Sequence, residues 1–514
     1  MPTKPHILFV ILDTQRRDHL SLYGHTRDTA PQMAAFAQGA TIFERAIAPA
    51  QWTIPAHGSL FTGLYPSAHG LTQAYHFMSG QFPMLAEILQ QSDYHTVAFC
   101  NNPLLGLLET GLQRGFDQFY NYAGATPNRP VDMRRTAVRR AAATGLRQFA
   151  RRVTNQFAHS DTMFRSSLSP WVVPIWSRLV NFKGNAARSI DDLIDYWGQH
   201  TAGGDDKPLF AFLNLMGTHL PYRPPQDWVK HVAPDVARDK QAYGFMNRFN
   251  ADGVGWISPT DAPLADWQRH ALDAFYDAEI AYQDEQLGRL WAYLKASGTL
   301  DDTMVIVAAD HGEGHGDHGY MGHSFVVYQE LVHVPLFIHH PSFPAGKHIN
   351  TPVSTRRIFH TILEAAGAVP PLDDADPNAN VEGLSLARSL NGRPDTERGI
   401  AFAEAFPPMN LLHIMEDRRP ETVERLALRE VRRGVVVGDH KVALVGDRIE
   451  NLYNIADDPA EAHDIAAEQP QIAAALQQQV SQFVAAQQAN GHATSQQAVA
   501  GDVLENLRAL GYIE

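Results

Sequence analysis

The sequence is poor in cysteine, with Cys100 alone among 514 residues. One cysteine excludes an internal disulfide framework and fits a reducing compartment. Long apolar runs are also missing. No stretch reaches the roughly 20 apolar residues that a membrane span needs, so no transmembrane segment is expected. The run nearest the N-terminus, Ile7 to Leu12, is too brief for the apolar part of a signal peptide. Asp13 and Arg16-Arg17-Asp18 follow it, where small residues and a cleavage site would stand. Together these absences make a cytoplasmic location the expectation. Positive charge is scarce as well, with 42 Lys and Arg against 56 Asp and Glu and a formal net charge of −14. Duplexes attract positive surface, so nucleic acid is not an expected partner. No internal repeat is visible.

What is present is an α/β pattern. Ile7–Leu12, Thr96–Cys100, Leu209–Leu215 and Met304–Ala309 are short, nearly continuous apolar runs. Such runs are the mark of parallel strands covered by helices on both faces. Each ends in polar residues: Asp13, Asn101-Asn102, Thr218-His219 and Asp310-His311. Open α/β sheets place their sites at the carboxyl ends of strands, so four separate parts of the chain deliver polar groups to one edge. Helical spacing of Leu272, Tyr276, Ile280, Leu287, Leu290 and Leu294 predicts a helix over Leu264–Leu294. Residues 368–398 are rich in Pro, Asp, Asn and Gly and mark a junction. Beyond it, Gly434–Leu444 and Ile449–Leu452 are expected as strands, and the Gln/Ala-rich Ile472–Ala493 as an exposed helix without chemistry.

One region reverses the charge. Between Arg129 and Arg188, twelve Arg and Lys, Lys183 among them, face only Asp132 and Asp161, with Trp171, Ile175, Trp176 and other apolar residues interleaved. The plainer expectation is an insertion that packs on its own domain or on a sister subunit. The sharper one is a basic lid over an anionic substrate, or a surface for anionic lipid.

Two segments carry the chemistry. In Thr53-Ile54-Pro55-Ala56-His57, Pro55 suits a first helical turn and sets Thr53 at a helix N-terminus, where free N–H groups favour an anion. Taken alone, Thr53 would be read as an ordinary helix cap. Asp310-His311-Gly312-Glu313 directly follows a strand, and a carboxylate beside an imidazole is a natural donor pair for a divalent cation. Asp13, at the end of the first strand, is a third ligand candidate. Asp13, Asp310, His311 and the Thr53 oxygen would together activate the hydroxyl by coordination.

These segments also carry a resemblance. Thr53-x-Pro55-x-His57 with Ser59-Leu60-Phe61-Thr62-Gly63 is similar to the signature of the alkaline phosphatase/sulfatase superfamily. Leu12-Asp13-Thr14-Gln15-Arg16-Arg17-Asp18 resembles its first metal loop, Thr218-His219-Leu220-Pro221-Tyr222 its substrate-binding histidine loop, and Asp310-His311-Gly312-Glu313 with His318-Gly319 its second metal loop. Leu452-Tyr453-Asn454 and Leu510-Gly511-Tyr512 resemble its C-terminal unit. The resemblance implies an alkaline phosphatase-like domain at 1–370, whose large, mostly parallel sheet lies between helices. It implies a smaller α+β unit at 371–514, and leaves an insertion at about 125–200 without a template.

The departures from the sulfatase pattern bear on the chemistry. Sulfatases oxidise Cys or Ser to formylglycine. Threonine carries an extra methyl on that carbon and would give a ketone, so no formylglycine is expected at Thr53. A sulfated threonine would lack the second hydroxyl that expels sulfate, whereas a phosphothreonine can be hydrolysed by in-line attack of water. Thr14 stands where sulfatases carry a second metal-binding Asp, His311 where they often have Asn, and His323 near the place of a substrate-binding Lys. The resemblance therefore implies one divalent metal, Mn²⁺ or Zn²⁺ rather than Ca²⁺, held by Asp13, Thr53, Asp310 and His311. It gives Thr53, His219 and His323 as catalytic residues and His57, Asn101 and His318 as substrate-binding candidates. The expected activity is hydrolysis of phosphate esters through a covalent Thr53 intermediate, with phosphonate or sulfate esters as further substrates. A small anionic ester is the expected ligand and a homo-oligomer the expected state. The alternatives are a sulfatase that uses unmodified threonine, a phosphoryl transferase and a catalytically inactive metal-binding relative.

Overall fold

The computed structural model describes residues 4–490 apart from 125–126, 131–159, 170, 174, 176–181, 204–205, 261, 374–375, 391–392 and 394–395. Most of the basic stretch, including Arg134 to Arg152 and Arg178, lies outside the described residues. So does the terminal Leu510-Gly511-Tyr512.

An eight-stranded sheet forms the centre. Its strands are β1 (His6–Leu12), β2 (Thr41–Phe43), β3 (His95–Cys100), β4 (Gln118–Asn121), β5 (Leu209–Leu215), β6 (Thr303–Ala308), β7 (Leu336–His339) and β8 (Lys347–Ile349). They lie side by side in the order β8-β2-β7-β6-β1-β5-β3-β4. β7 alone runs antiparallel to its neighbours, and every other pairing is parallel. The four apolar runs read as strands are thus the four adjacent strands at the middle of the sheet.

Both faces of these strands are buried. Leu8, Val10 and Leu12 belong to one apolar cluster, and Ile7, Phe9 and Ile11 to another. That is the consequence of period-two alternation in a strand covered on both sides. The helix expected at Leu264–Leu294 runs from Asp266 to Ala296 and buries Leu272, Tyr276, Ile280, Leu287, Leu290 and Leu294 on the first face. The helix of the hydroxyl segment, Thr53–Thr62, packs on the second face through Ile54, Leu60 and Phe61.

The C-terminal unit is a four-stranded antiparallel sheet made of Ile400–Ala405, Arg432–Val437, His440–Val445 and Arg448–Asn454. The expected single strand Gly434–Leu444 is a hairpin. Gly438, at φ +56°, turns the chain with Asp439, and both arms are apolar enough to read as one run. The Gln/Ala-rich helix spans Pro470–Asn490, and one side of it is not exposed. Ala473, Leu476, Val480 and Phe483 are buried, and Phe483 stacks on Phe402 at 4.1 Å between ring centres. No helix among the described residues is long and apolar enough to cross a membrane.

Candidate active site

At the carboxyl edge of the central sheet, the ends of β1, β5, β3 and β6 converge. Asp13 follows β1, Asn102 follows β3, Asn214 lies near the end of β5, and Asp310 and His311 follow β6. All five are fully buried. Asp13 Oδ2 accepts from Asn102 Nδ2 at 2.6 Å and from Asn214 Nδ2 at 3.4 Å. Asp310 Oδ1 accepts from the backbone N–H groups of Thr14 at 3.2 Å and His311 at 2.9 Å. Thr14 reaches Asp310 because its backbone sits at φ +59°, a strained setting for a β-branched residue. Tyr276, on the long helix, steadies that turn by donating its hydroxyl to the Thr14 carbonyl at 2.7 Å.

Each carboxylate keeps one oxygen for something else. Asp13 Oδ1 and Asp310 Oδ2 are buried without a hydrogen-bond partner among the described residues. A buried carboxylate oxygen left unpaired is costly, and two of them side by side more so. Burial raises Asp13 to about 6. Burial and then the neighbouring Asp13 charge push Asp310 well above the usual carboxylate range. His311 completes the set. Its Nδ1 donates to the Gly312 carbonyl at 2.9 Å, which turns Nε2 inward, 3.4 Å from Asp310 Oδ2. Ligand atoms of Asp13, Asp310 and His311 lie within 4.8 Å of one another. Two carboxylates and a neutral imidazole converging on one point fit a divalent cation, whose charge would offset their repulsion.

Thr53 opens its helix as the first helical residue, after Trp52 in extended conformation, and is 1% exposed. Its Oγ1 caps nothing and lies 3.4 Å from His311 Nε2, at the edge of the cluster. His57, one turn on, is fully buried. Its Nδ1 donates to the Thr53 carbonyl at 2.9 Å and lies 3.5 Å from Asp310 Oδ2. Burial lowers His57 to about 4, so the ring is neutral at neutral pH.

Above this floor stand His219 and His323, with ring centres 5.1 Å apart, and His323 lies 4.6 Å from the His311 ring. His323 Nδ1 faces Glu313 Oε1 at 2.7 Å. Burial depresses the His323 pKa, but the Glu313 carboxylate outweighs it and raises the pKa above its ordinary value. His219 Nδ1 donates to the Leu220 carbonyl at 2.6 Å. Burial, and then His323, holds His219 well below its ordinary pKa. The two rings are therefore shifted in opposite directions, His323 up and His219 down.

The arrangement brings together Asp13, Thr53, His57, His219, Asp310, His311 and His323. Two candidates from the sequence are not among them. Asn101 is occupied by structure: its Nδ2 donates to Ser189 Oγ and the Asn214 carbonyl, and its Oδ1 accepts from Asn185 N–H. Both stand beyond Cys100, the last strand residue, and it is the Asn102 side chain that reaches Asp13. His318 lies against the C-terminal unit. It stacks on Tyr328 at 3.8 Å, with Nδ1 on Glu330 Oε1 and Nε2 on the Ala460 carbonyl.

Sequence reasoning missed Asn102, Asn214 and the role of Glu313. It also treated the basic stretch as a block, whereas its last residues reach the site. Phe182 packs edge-on against His219 at 5.7 Å. Lys183 Nζ bonds Glu279 Oε1 at 2.7 Å and the Pro221 carbonyl at 3.1 Å.

Comparisons with known proteins bear on the family and the fold. The Sulfatase family model matches residues 5–368. An arylsulfatase of Clostridium perfringens is 22% identical over 419 residues, covering 78% of this chain and 81% of its own. An N-acetylglucosamine-6-O-sulfatase of Bacteroides thetaiotaomicron is 22% identical over 498 residues, covering 90% of this chain and 82% of its own. Among solved structures, the phosphonate monoester hydrolase of Agrobacterium radiobacter superposes with a TM-score of 0.63 at 22% identity, over 95% of this chain and 96% of that one.

Proposed function

The chain belongs to the sulfatase family and is a hydrolase of ester bonds; from that premise we propose that it cleaves phosphorus esters through a covalent bond to Thr53. The observation that carries this reading is the threonine hydroxyl at a helix N-terminus, 3.4 Å from His311 beside the Asp13–Asp310 pair. Asp13, Asp310 and His311 would hold one divalent ion, Mn²⁺ or Zn²⁺, because two carboxylates and an imidazole suit those ions better than Ca²⁺. When bound, the ion polarises the ester and lowers the pKa of the Thr53 hydroxyl.

The residues then divide the work. Thr53, its hydroxyl proton first released to solvent, attacks phosphorus in line through Oγ1, and its bond to phosphorus forms as the bond to the leaving oxygen breaks. His323, its pKa raised by Glu313, gives the proton of its outward Nε2 to that oxygen. His219, neutral and with Nδ1 tied to Leu220, turns Nε2 toward the same space and accepts a hydrogen bond there. His57 holds the Thr53 carbonyl and so fixes the first helical turn. In the second half, water gives its proton back to His323, attacks phosphorus and releases Thr53.

A second reading is favoured by the curated relatives, which are named as sulfatases: hydrolysis of sulfate esters with Thr53 unmodified. The two separate on nitrophenyl phosphate monoester, phosphate diester, phosphonate monoester and sulfate, assayed with Mn²⁺ or Zn²⁺. The proposal expects turnover of phosphorus esters that Thr53→Ala abolishes. Turnover of sulfate alone would replace it with the second reading. The cytoplasmic location inferred from the lone cysteine, and a homo-oligomer joined near the exposed Trp171 and Ile175, belong to the same proposal. Light scattering tests the oligomer.

A further inference from the structure

A second group of metal-type donors shares no residue with the Thr53 cluster. His19 is at the end of that loop, Asp273 is on the long helix, and His315 follows the Asp310-His311 turn. Ligand atoms of the three lie within 4.8 Å of one another. His315 Nδ1 is 3.1 Å from Asp273 Oδ1. His19 is 6% exposed, and it is its Nδ1 that a carboxylate engages.

The orientation of both rings is set from behind. His19 Nδ1 donates to Asp277 Oδ1 at 2.7 Å, which leaves the Nε2 lone pair facing the gap. His315 Nε2 faces the Tyr222 hydroxyl at 2.9 Å, which leaves Nδ1 facing Asp273. A carboxylate or hydroxyl fixing the rear nitrogen is how metal-binding imidazoles are held in one tautomer and one orientation. Asp277 is itself anchored by Arg27 Nη1 at 2.6 Å and His25 Nε2 at 3.0 Å. Charge favours a cation as well. Asp18, Asp273, Asp277 and Asp317 carry four negative charges there, against the three positive charges of Arg16, Arg27 and Arg269 that pair with them.

We propose that His19 Nε2, His315 Nδ1 and the Asp273 carboxylate form a second metal site, separate from the Thr53 cluster, that takes Zn²⁺. Two imidazoles and one carboxylate are a zinc donor set, with water as the fourth ligand. The site joins the loop after β1, the long helix and the loop after β6. Its ion acts by clamping together the pieces that carry Asp13, Asp310 and His311.

Zinc content per chain, measured after Zn²⁺ loading and gel filtration, tests the site in the full-length protein, His19→Ala and Asp13→Asn. The expected result is two equivalents in the wild type and one in each variant, with zinc raising the melting temperature of Asp13→Asn but less that of His19→Ala. One equivalent that survives Asp13→Asn and is lost in His19→Ala would support this site and remove the other. Zinc that His19→Ala leaves unchanged, or no zinc in the wild type, overturns the proposal. Should His19→Ala not fold, His19→Gln takes its place. Zinc anomalous scattering from wild-type crystals then decides: a peak between His19, Asp273 and His315 supports the site, and none there refutes it.

Discussion

Replacing Asn102 by alanine weakens metal binding without touching a ligand. Asn102 Nδ2 donates to Asp13 Oδ2 at 2.6 Å, the shorter of the two bonds that orient this carboxylate. A hydrogen bond to a charged group contributes about 1.5–3 kcal/mol. At about 1.4 kcal/mol per decade, its loss raises the dissociation constant for Mn²⁺ or Zn²⁺ by about 10- to 150-fold. Asn214 keeps a longer bond to the same oxygen, so the lower half of that range is expected. Asn102 Oδ1 also caps the short turn at Pro103 by accepting from Leu104 N–H at 2.8 Å, which costs about 1 kcal/mol of stability in the variant. Chelator competition on the folded variant measures the affinity, and thermal melting separates the stability loss from it. An affinity equal to the wild type would refute the claim that Asn102 orients a metal-binding Asp13.

Other outcomes follow from the same structure. Lys441 and Glu461 form an ion pair with side chains 1% and 0% exposed. Lys441→Ala strands the carboxylate and costs about 3–5 kcal/mol by urea unfolding, while Lys441→Met with Glu461→Gln recovers most of it. His69 is buried and held neutral, accepting from Leu71 N–H and facing Ser59 Oγ, and burial lowers it to about 3. The unfolded chain therefore takes up a proton that the folded chain refuses below about pH 6.5. Stability falls as pH drops from about 6.5 toward 3, by up to about 5 kcal/mol, and His69→Gln shows a shallower fall in melting temperature over that range. Glu313→Gln removes the charge that raises the His323 pKa, so kcat falls and its basic limb moves to lower pH, while circular dichroism stays unchanged. Exhaustive chelation abolishes turnover, and adding Mn²⁺ or Zn²⁺ restores it. Full activity in a verified metal-free sample would contradict the metal role.

Much of this was legible before the structure, for a physical reason. A strand buried on both faces must be apolar along its length, so the polar residue that ends it stands out. Asp13, His219, Asp310 and His311 were found in that way. The choice between Asn101 and Asn102 was not legible. Where a strand stops, the alternation no longer fixes which side a residue faces. His318 sits in a run of histidines that share one local pattern, and only the packing of Tyr328 and the Ala460 carbonyl around it separates its role from that of His323. Asn214 lies inside a run read as nearly continuously apolar. The Gly438 turn was read through because both arms of the hairpin are rich in valine. His315 carries no local mark of its own in the sequence, since Asp273 and His19 come to it from distant parts of the chain.

The most direct test of the covalent role of Thr53 is mass spectrometry of enzyme quenched in acid during turnover of a phosphate monoester. The account predicts that the peptide holding Thr53 gains the mass of one phosphoryl group, that fragmentation assigns it to Thr53, and that Thr53→Ala shows neither the adduct nor turnover. An active enzyme with no adduct at any quench time, and a Thr53→Ala variant that retains turnover, would contradict it.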